Sequence, residues 1–305
     1  MRICVFGAGS MGSALGGLLA EGHEVVLVGR KANVDRVRQD GLRLQGAVNK
    51  EVMIDARETV SDIDPPDLLV IATKAYSTQS VIEACRDWVA SDTIVLTLQN
   101  GLGNLEKLRD WRGAQAIGGT TTMGALLIEP GVVDVASLGS TFIGADVDPE
   151  TAEALASMFA AAGMPTKVTV DIQAELWAKA TINACINPMT AILRVANGEI
   201  ARVEALSMLV RDISQECEAV ADACGIRLPY ESMYQQAMVV AKNTASNRSS
   251  MLRDIELGRR TEIQSINGHI CRAGLHARVP TPINNALVAL VESLGDHQGG
   301  ERLIS

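Results

Sequence analysis

The sequence predicts an α/β chain: an N-terminal doubly wound sheet over residues 1–170, followed by an all-α domain over residues 171–305. Three features predict it. Short apolar runs alternate with helical periods through the first half, the rhythm of βαβ units. A glycine-rich turn stands at the first strand-to-helix junction. Beyond Asp171 the strand signals fade and helical periods take over.

Ile3 to Phe6 is an apolar run of the kind buried in parallel sheets. Gly7-Ala8-Gly9-Ser10-Met11-Gly12 follows, and a helical pattern runs through Leu15, Leu18 and Leu19 to punctuation at Glu21-Gly22-His23. Glu24 to Val28 is a second strand. In this setting GxGxxG is a Rossmann-type dinucleotide turn. Its glycines permit a sharp turn, close approach of a pyrophosphate and close helix packing, and the helix N-terminus adds amides and a positive dipole end. Gly7, Ala8, Gly9, Ser10, Met11 and Gly12 are therefore expected at the cofactor. Arg30 ends the second strand, where an NAD-preferring site places an acid for the ribose 2′-hydroxyl. A guanidinium suits a 2′-phosphate, so NADP(H) is expected; the alternative is a solvated strand-end charge.

Asp67 to Ala75 and Thr93 to Gly101 read as strands ending in polar turns, and Ala116 to Ala125 has the same character. Ligands of doubly wound sheets gather beyond the carboxyl ends of strands, which places Lys74 and Asn100 at the cofactor crevice. Gly131-Val132-Val133 and Thr141 to Gly144 read as later strands of the sheet or a hairpin at its edge. A helix over Pro149 to Ala162 and a strand over Thr166 to Val170 complete this half.

The second half opens with a helix from Glu175 that is too apolar for a surface, yet Lys179, Asn183 and Asn187 recur every fourth residue. That spacing turns about 40° per step, so the three fan along one side. A withdrawn ammonium and two amides cost several kcal/mol unless something pairs with them, and a small polar anion would do so. The plainer alternative pairs Glu175 with Lys179 on a surface and lets Asn187-Pro188 end or kink the helix. Further helices are expected from Ala205 to Gly225 and from Ser232 to about Lys242. A third, capped by Asn247 or Ser249, is expected to run through Glu262 toward Leu275, before Pro280, Pro282 and a last helix near Ile283 to Leu294. The start of the third helix offers amides and the Ser249 and Ser250 hydroxyls to a carboxylate, or is an ordinary cap. Glu262 would lie about three turns further on, facing a cofactor or a substrate hydroxyl, or pairing with a helical neighbour. The tail from Gly295 carries no periodic signal.

Composition removes several function classes. A net charge of -9 and 3% aromatic residues count against binding to phosphate polymers, anionic membranes or single-stranded nucleic acid. Six cysteines without a CxxC pair read as small buried hydrophobes in a reducing compartment. Four histidines form no ligand cluster, so no metal is expected. No apolar run reaches membrane length and no secretory leader precedes the first strand, so cytoplasm is the expected compartment. Apolar faces on the later helices would permit a homodimer.

Taken together, these segments resemble the ketopantoate reductase (2-dehydropantoate 2-reductase) family over nearly the whole chain. The resemblance is carried by GAGSMG from Gly7, Lys74-Ala75, Gln99-Asn100-Gly101 and Gly119-Thr120-Thr121-Thr122. It continues in ELWAKATINACINPMTAI from Glu175, Asn197-Gly198-Glu199, and SSMLRDIELGRRTEI from Ser249. It implies NADPH-dependent reduction of 2-dehydropantoate to (R)-pantoate, on the way to pantothenate and coenzyme A. Lys179 would donate the proton, Asn183, Asn187 and Asn197 would contact substrate, and Asn247, Arg248, Ser249 and Ser250 would hold its polar end. Lys74, Asn100, Ala125 and Glu262 would contact cofactor, with Asn100 also reaching substrate and Glu262 at the catalytic end. Met123-Gly124 departs from the family pattern, where a His-Ala pair can occur, which bears on substrate choice. A reductase of another 2-oxo acid, or a non-catalytic NADP(H)-binding regulator, are the competing expectations.

Overall fold

The computed structural model describes residues 1–146 and 148–296. The chain divides into two compact units. The first comprises Met1–Gln99 and Asn104–Ile172; the second comprises Asn100–Gly103 and the chain from Gln173 onward.

The first unit alternates strand and helix in the order β1 (Arg2–Phe6), α1 (Ser10–Leu19), β2 (Glu24–Val28), α2 (Lys31–Asp40), β3 (Leu42–Gly46), β4 (Lys50–Val52), β5 (Asp55–Arg57), β6 (Leu68–Ile71) and α3 (Thr78–Cys85). It continues with β7 (Ile94–Thr97), α4 (Asn104–Arg112), β8 (Ala116–Thr121), β9 (Gly124–Glu129), β10 (Val132–Ser137), β11 (Thr141–Gly144), α5 (Pro149–Ala161) and β12 (Thr166–Thr169). Eight strands form the main sheet in the order β12-β11-β8-β7-β6-β1-β2-β5, parallel except where β11 runs against β8. Both faces are covered, as parallel sheets require. Ile3, Val5, Leu68 and Val70 enter one core, and Cys4, Leu69 and Ile71 enter the other.

A second sheet was not legible. β4, β3, β10 and β9 form it, so Gly131-Val132-Val133 leads into this sheet and not into the main one; only Thr141 to Gly144 joins the main sheet. Its function in the fold is to clamp α1, which contacts strands of both sheets. The clamp explains why α1 is so poor in large residues. A Cβ on Gly16 would stand 2.6 Å from Leu27 of β2, and one on Gly17 would stand 2.9 Å from Leu44 of β3. The helix that begins at the glycine turn is thus fixed from two sides.

The second unit holds α6 (Ile172–Leu193), whose first residue belongs to the first unit, then α7 (Gly198–Arg202), α8 (Glu204–Ala223) and α9 (Met233–Asn243). It ends with α10 (Ser250–Glu256), α11 (Asn267–Ala277) and α12 (Pro282–Asp296). Pro188 does not end α6, which continues through it to Leu193. An interior proline costs about 3 kcal/mol in an ordinary helix, so the buried surroundings of Ala184 to Ala191 must hold this one in place.

The long third helix expected from Ser249 toward Leu275 is two helices. Gly258 takes φ +61, its amide donates to the Ile255 carbonyl, and the Arg259 amide donates to the Asp254 carbonyl at 2.7 Å. That pair of bonds is a Schellman ending, which stops α10 after Glu256. Glu262 consequently sits at the entry to a short 3-10 turn, Ile263–Ser265, and its distance from Ser249 along a common helix axis no longer applies. Cys4, Cys85, Cys185 and Cys217 are buried, and burial pushes their thiols up. Cys224 is exposed, because it follows the last turn of α8 beyond the buried face, and Cys271 is half-buried. α12 runs through Gly295 to Asp296, and the rest of the tail expected to be loose lies outside the described residues. Among the described residues no helix is long and apolar enough to cross a membrane, and no group of three His, Cys, Asp or Glu residues could hold a metal ion.

Candidate active site

The glycine turn joins β1 to α1 beside the end of β2. Gly7 takes φ +118, and a Cβ there would meet the Thr73 amide nitrogen at 2.6 Å. A Cβ on Gly12 would stand 2.0 Å from the Gly7 carbonyl oxygen. Gly9 is different, with no described atom within 4 Å of a Cβ built there. Gly7 and Gly12 therefore make the turn and the packing, and Gly9 leaves its outer face bare. The first turn of α1 carries no acidic residue and no side-chain cap among the described residues. Bare backbone and uncapped amides fit a pyrophosphate. Ser10 accepts the Leu127 amide at 2.9 Å, so its hydroxyl is oriented, while Ala8 is buried and Met11 is half-buried.

Two residues that secure this turn were missed. A Cβ on Gly29 would stand 2.5 Å from that of Ala8, at the point where the Gly7 and Ala8 amides donate to the Val28 carbonyl. Asn33 on α2 is buried; its Nδ2 donates to the Ala8 carbonyl at 2.9 Å and its Oδ1 accepts the Gly131 amide at 2.7 Å. Gly29 was readable as the residue before Arg30. Nothing in the sequence marked Asn33. Arg30 is exposed at the N-cap of α2 and makes no side-chain hydrogen bond or ion pair among the described residues.

Beyond the ends of β6 and β7 a buried polar network fixes the loop that carries Lys74. Gln99 donates from Nε2 to the Thr73 carbonyl and to Thr78 Oγ1, both at 3.0 Å, and its Oε1 accepts from Thr97. Thr78 Oγ1 lies 2.9 Å from both the Ala75 carbonyl and Asn104 Oδ1. Lys74 is pinned on either side and is half-buried. Ala125 lies on β9 of the second sheet, also half-buried, after the Met123-Gly124 pair.

In the second unit α6 carries the polar stripe. Asn187 is 7% exposed, and Lys179 and Asn183 are half-buried, so the stripe is withdrawn from bulk water. Burial lowers the Lys179 pKa to about 8, against the upward pull of the Glu262 carboxylate. Glu262 is itself 5% exposed. Lys179 and Glu262 are thus close enough to interact electrically, although they stand 83 positions apart in the chain. Asn100 also falls in this unit, in a segment whose Leu102 amide donates to the Ser265 carbonyl at 2.8 Å. Gly101 permits that approach with φ +83; a Cβ there would stand 2.6 Å from the Ser265 carbonyl oxygen.

Ser249 is the N-cap of α10. Its Oγ accepts the Leu252 amide at 3.1 Å and lies 2.7 Å from Thr190 Oγ1 of α6, a partner with no signal in the sequence. Asn197 is buried; its amide donates to the Asn247 carbonyl and its Nδ2 donates to Thr244 Oγ1, both at 2.9 Å. Its Oδ1 is buried with no hydrogen-bond partner among the described residues, an oriented acceptor. The rest of that segment is more open. Asn247, Arg248 and Ser250 are exposed, and the Arg248 guanidinium lies 3.0 Å from Glu256.

A dinucleotide turn on a doubly wound sheet, in a chain that also holds a partly desolvated amine beside a buried carboxylate, defines an α/β oxidoreductase. Comparison with known proteins narrows the class. The family described as ketopantoate reductase PanE/ApbA matches residues 3–147, and its C-terminal domain matches residues 171–295. The chain belongs to that family. It is 37% identical over 305 residues to a 2-dehydropantoate 2-reductase from Pyrococcus horikoshii, covering 99% of this chain and 100% of the relative. A PanE/ApbA family ketopantoate reductase from Ralstonia eutropha JMP134 superposes with a TM-score of 0.91 at 32% identity, over 98% of this chain and 100% of the other. A D-mandelate dehydrogenase solved with NADH and anilino(oxo)acetate also reaches 0.91, at 26% identity, with the same coverage of each chain.

Proposed function

We propose that this chain catalyses the NADPH-dependent reduction of 2-dehydropantoate to (R)-pantoate, with Lys179 as the proton donor. The observation that carries the reading is the half-buried Lys179 on the α6 stripe it shares with Asn183 and Asn187, its pKa lowered to about 8 by burial and within the electrostatic reach of Glu262. A reduced nicotinamide, when bound, supplies the hydride. The bare Gly9 face and the uncapped amides of α1 would hold its pyrophosphate, with Gly7, Ala8, Ser10, Met11 and Gly12 shaping the turn. Arg30, exposed and without a side-chain partner among the described residues, would take the 2′-phosphate by charge-assisted bonds. Lys74, Asn100, Ala125 and Glu262 would line the same cofactor.

Lys179 does two things as the ketone oxygen gains charge. Its ammonium offsets the developing alkoxide, and its proton completes the alcohol. An ordinary lysine is a poor acid at neutral pH, whereas one near 8 remains charged and gives up its proton readily. The substrate carboxylate would raise the pKa again on binding, beyond the pull that Glu262 already exerts. Asn183, Asn187 and the unpartnered Asn197 Oδ1 would orient the polar groups of the substrate, with Asn247, Arg248, Ser249 and Ser250 at its far end. The Arg248–Glu256 pair would open for Arg248 to take part.

A second reading is favoured by one observation. The D-mandelate dehydrogenase neighbour, solved with NADH and anilino(oxo)acetate, matches the fold as well as the ketopantoate reductase neighbour does. A different 2-oxo acid, or NADH, would then be used, and Met123-Gly124 is where this chain departs from the family pattern. Steady-state oxidation of NADPH and NADH with 2-dehydropantoate and a panel of branched and aromatic 2-oxo acids separates the two. The highest kcat/KM is expected with NADPH and 2-dehydropantoate; a higher value for an aromatic acid would favour the second reading, and no turnover at all would favour a regulator.

A further inference from the structure

We propose that Asn267 is a positioning residue: from α11 it donates the hydrogen bond that Pro188 removes from α6, and so sets the turn that carries Asn183 and Asn187. The role of that turn in substrate binding rests on the proposed function; the replacement of the bond does not.

In a helix each amide donates to the carbonyl four residues earlier, so Pro188 leaves the Ala184 carbonyl without its helical donor. Ala184 lies inside the turn from Asn183 to Asn187 and is 0% exposed, so bulk water cannot stand in. Asn267 Nδ2 lies 3.3 Å from that carbonyl oxygen, brought there from 83 residues away. The same nitrogen donates to Asn284 Oδ1 at 2.9 Å. Asn284 in turn donates from Nδ2 to Glu216 Oε2 at 2.7 Å, and Glu216 accepts the Ile283 and Asn284 backbone amides at 2.8 and 3.0 Å. The chain of bonds therefore runs from the interior of α6, through α11, to the first turn of α12 and its cap on α8.

Asparagine fits this place because one nitrogen carries two protons for two fixed acceptors. Aspartate would bring acceptors against acceptors, and alanine would bring nothing. Asn267 and Asn284 are both 0% exposed, so neither amide has room to turn toward water. The Ala184 carbonyl is the only one in α6 that a proline deprives among the described residues, and it falls between the two amides of the polar stripe. A small tilt of that turn would move Asn187 relative to Asn183 and Lys179.

The test is a double-variant comparison of wild type, Asn267→Ala, Pro188→Ala and the pair. Alanine at 188 returns an amide proton to the Ala184 carbonyl. Asn267→Ala is expected to lower kcat/KM for the 2-oxo acid roughly 10- to 100-fold, the scale of a misplaced binding group, with the Kd of the nicotinamide cofactor unchanged. Pro188→Ala alone should stay near wild type, and in its background the Asn267→Ala loss in kcat/KM should shrink at least severalfold, with the Tm loss shrinking in parallel. Equal losses in both backgrounds overturn the proposal. A Tm effect that shrinks while the kinetic loss does not also overturns it, because the bond would then stabilise without positioning. Should Asn267→Ala not fold alone, a folded and active double variant supports the proposal, and an unfolded one overturns it. Absence of turnover in wild type would strike the proposed function instead, and the Tm comparison would still decide whether Asn267 replaces the missing bond.

Discussion

The glycine turn of the first unit and the amide helix of the second are built on opposite principles. The turn is made by backbone. Its shape comes from the absence of side chains at Gly7, Gly9 and Gly12, and most of its contacts are to strands that adjoin it in the sheet. The stripe on α6 is made by side chains whose surroundings come from far along the chain. Thr190 meets Ser249 across 59 positions, and the Ala184 carbonyl meets Asn267 across 83. A backbone turn can be read from a motif, and the surroundings of a side-chain stripe need the fold.

The comparison breaks most visibly at Lys179. Lys179→Ala should reduce kcat roughly 10²- to 10⁴-fold, the usual contribution of a positioned acid, with cofactor binding preserved by calorimetry. A kcat near wild type would leave the stripe a structural feature. Arg30→Asp, at the other region, should weaken NADPH binding by roughly 10- to 100-fold, as expected for lost charge-assisted bonds, and NADH binding far less. Equal losses for the two nucleotides would make Arg30 a solvated charge.

The glycines sharpen the contrast within the turn itself. Gly12→Ala forces a methyl group against the Gly7 carbonyl and should cost about 1–3 kcal/mol of stability, an overpacking penalty. Gly9→Ala meets nothing in the described structure, so its unfolding free energy should change by less than about 0.5 kcal/mol. It should nonetheless weaken cofactor binding by around tenfold, or about 1.4 kcal/mol, since the methyl occupies the face left for pyrophosphate. If both variants bind cofactor as wild type does in a fluorescence titration, the turn is architectural.

Much of the first unit was legible because its signals are local. The buried strand runs, the glycine turn and α5 fell close to where periodicity placed them, as did α8 and α9 of the second unit. The second sheet was hidden because β4 is only three residues long and β3 pairs with β10, from Arg43 to Val132, a register that periodicity cannot supply. The ending of α10 was written in Leu257-Gly258, but the helical period on either side of Gly258 masked it. In the second unit the spacing of Lys179, Asn183 and Asn187 predicted a withdrawn polar stripe, and the three are buried or half-buried on α6. Their supports, Thr190 and Asn267, were not legible, since a polar residue in an apolar run does not announce its partner.

In the proposed reaction a partly desolvated amine supplies the proton, and the pH dependence of kcat/KM tests that role. Lys179 must be charged to act, and its pKa in the free protein lies at about 8, so the rate constant should fall as pH rises through that value. The limb in kcat should lie higher, because a bound carboxylate pulls the pKa up. In Lys179→Arg, whose guanidinium stays protonated, the limb near pH 8 should vanish along with most of the activity. A wild-type profile that stays flat to pH 10, or a limb that survives unchanged in the arginine variant, would contradict the account.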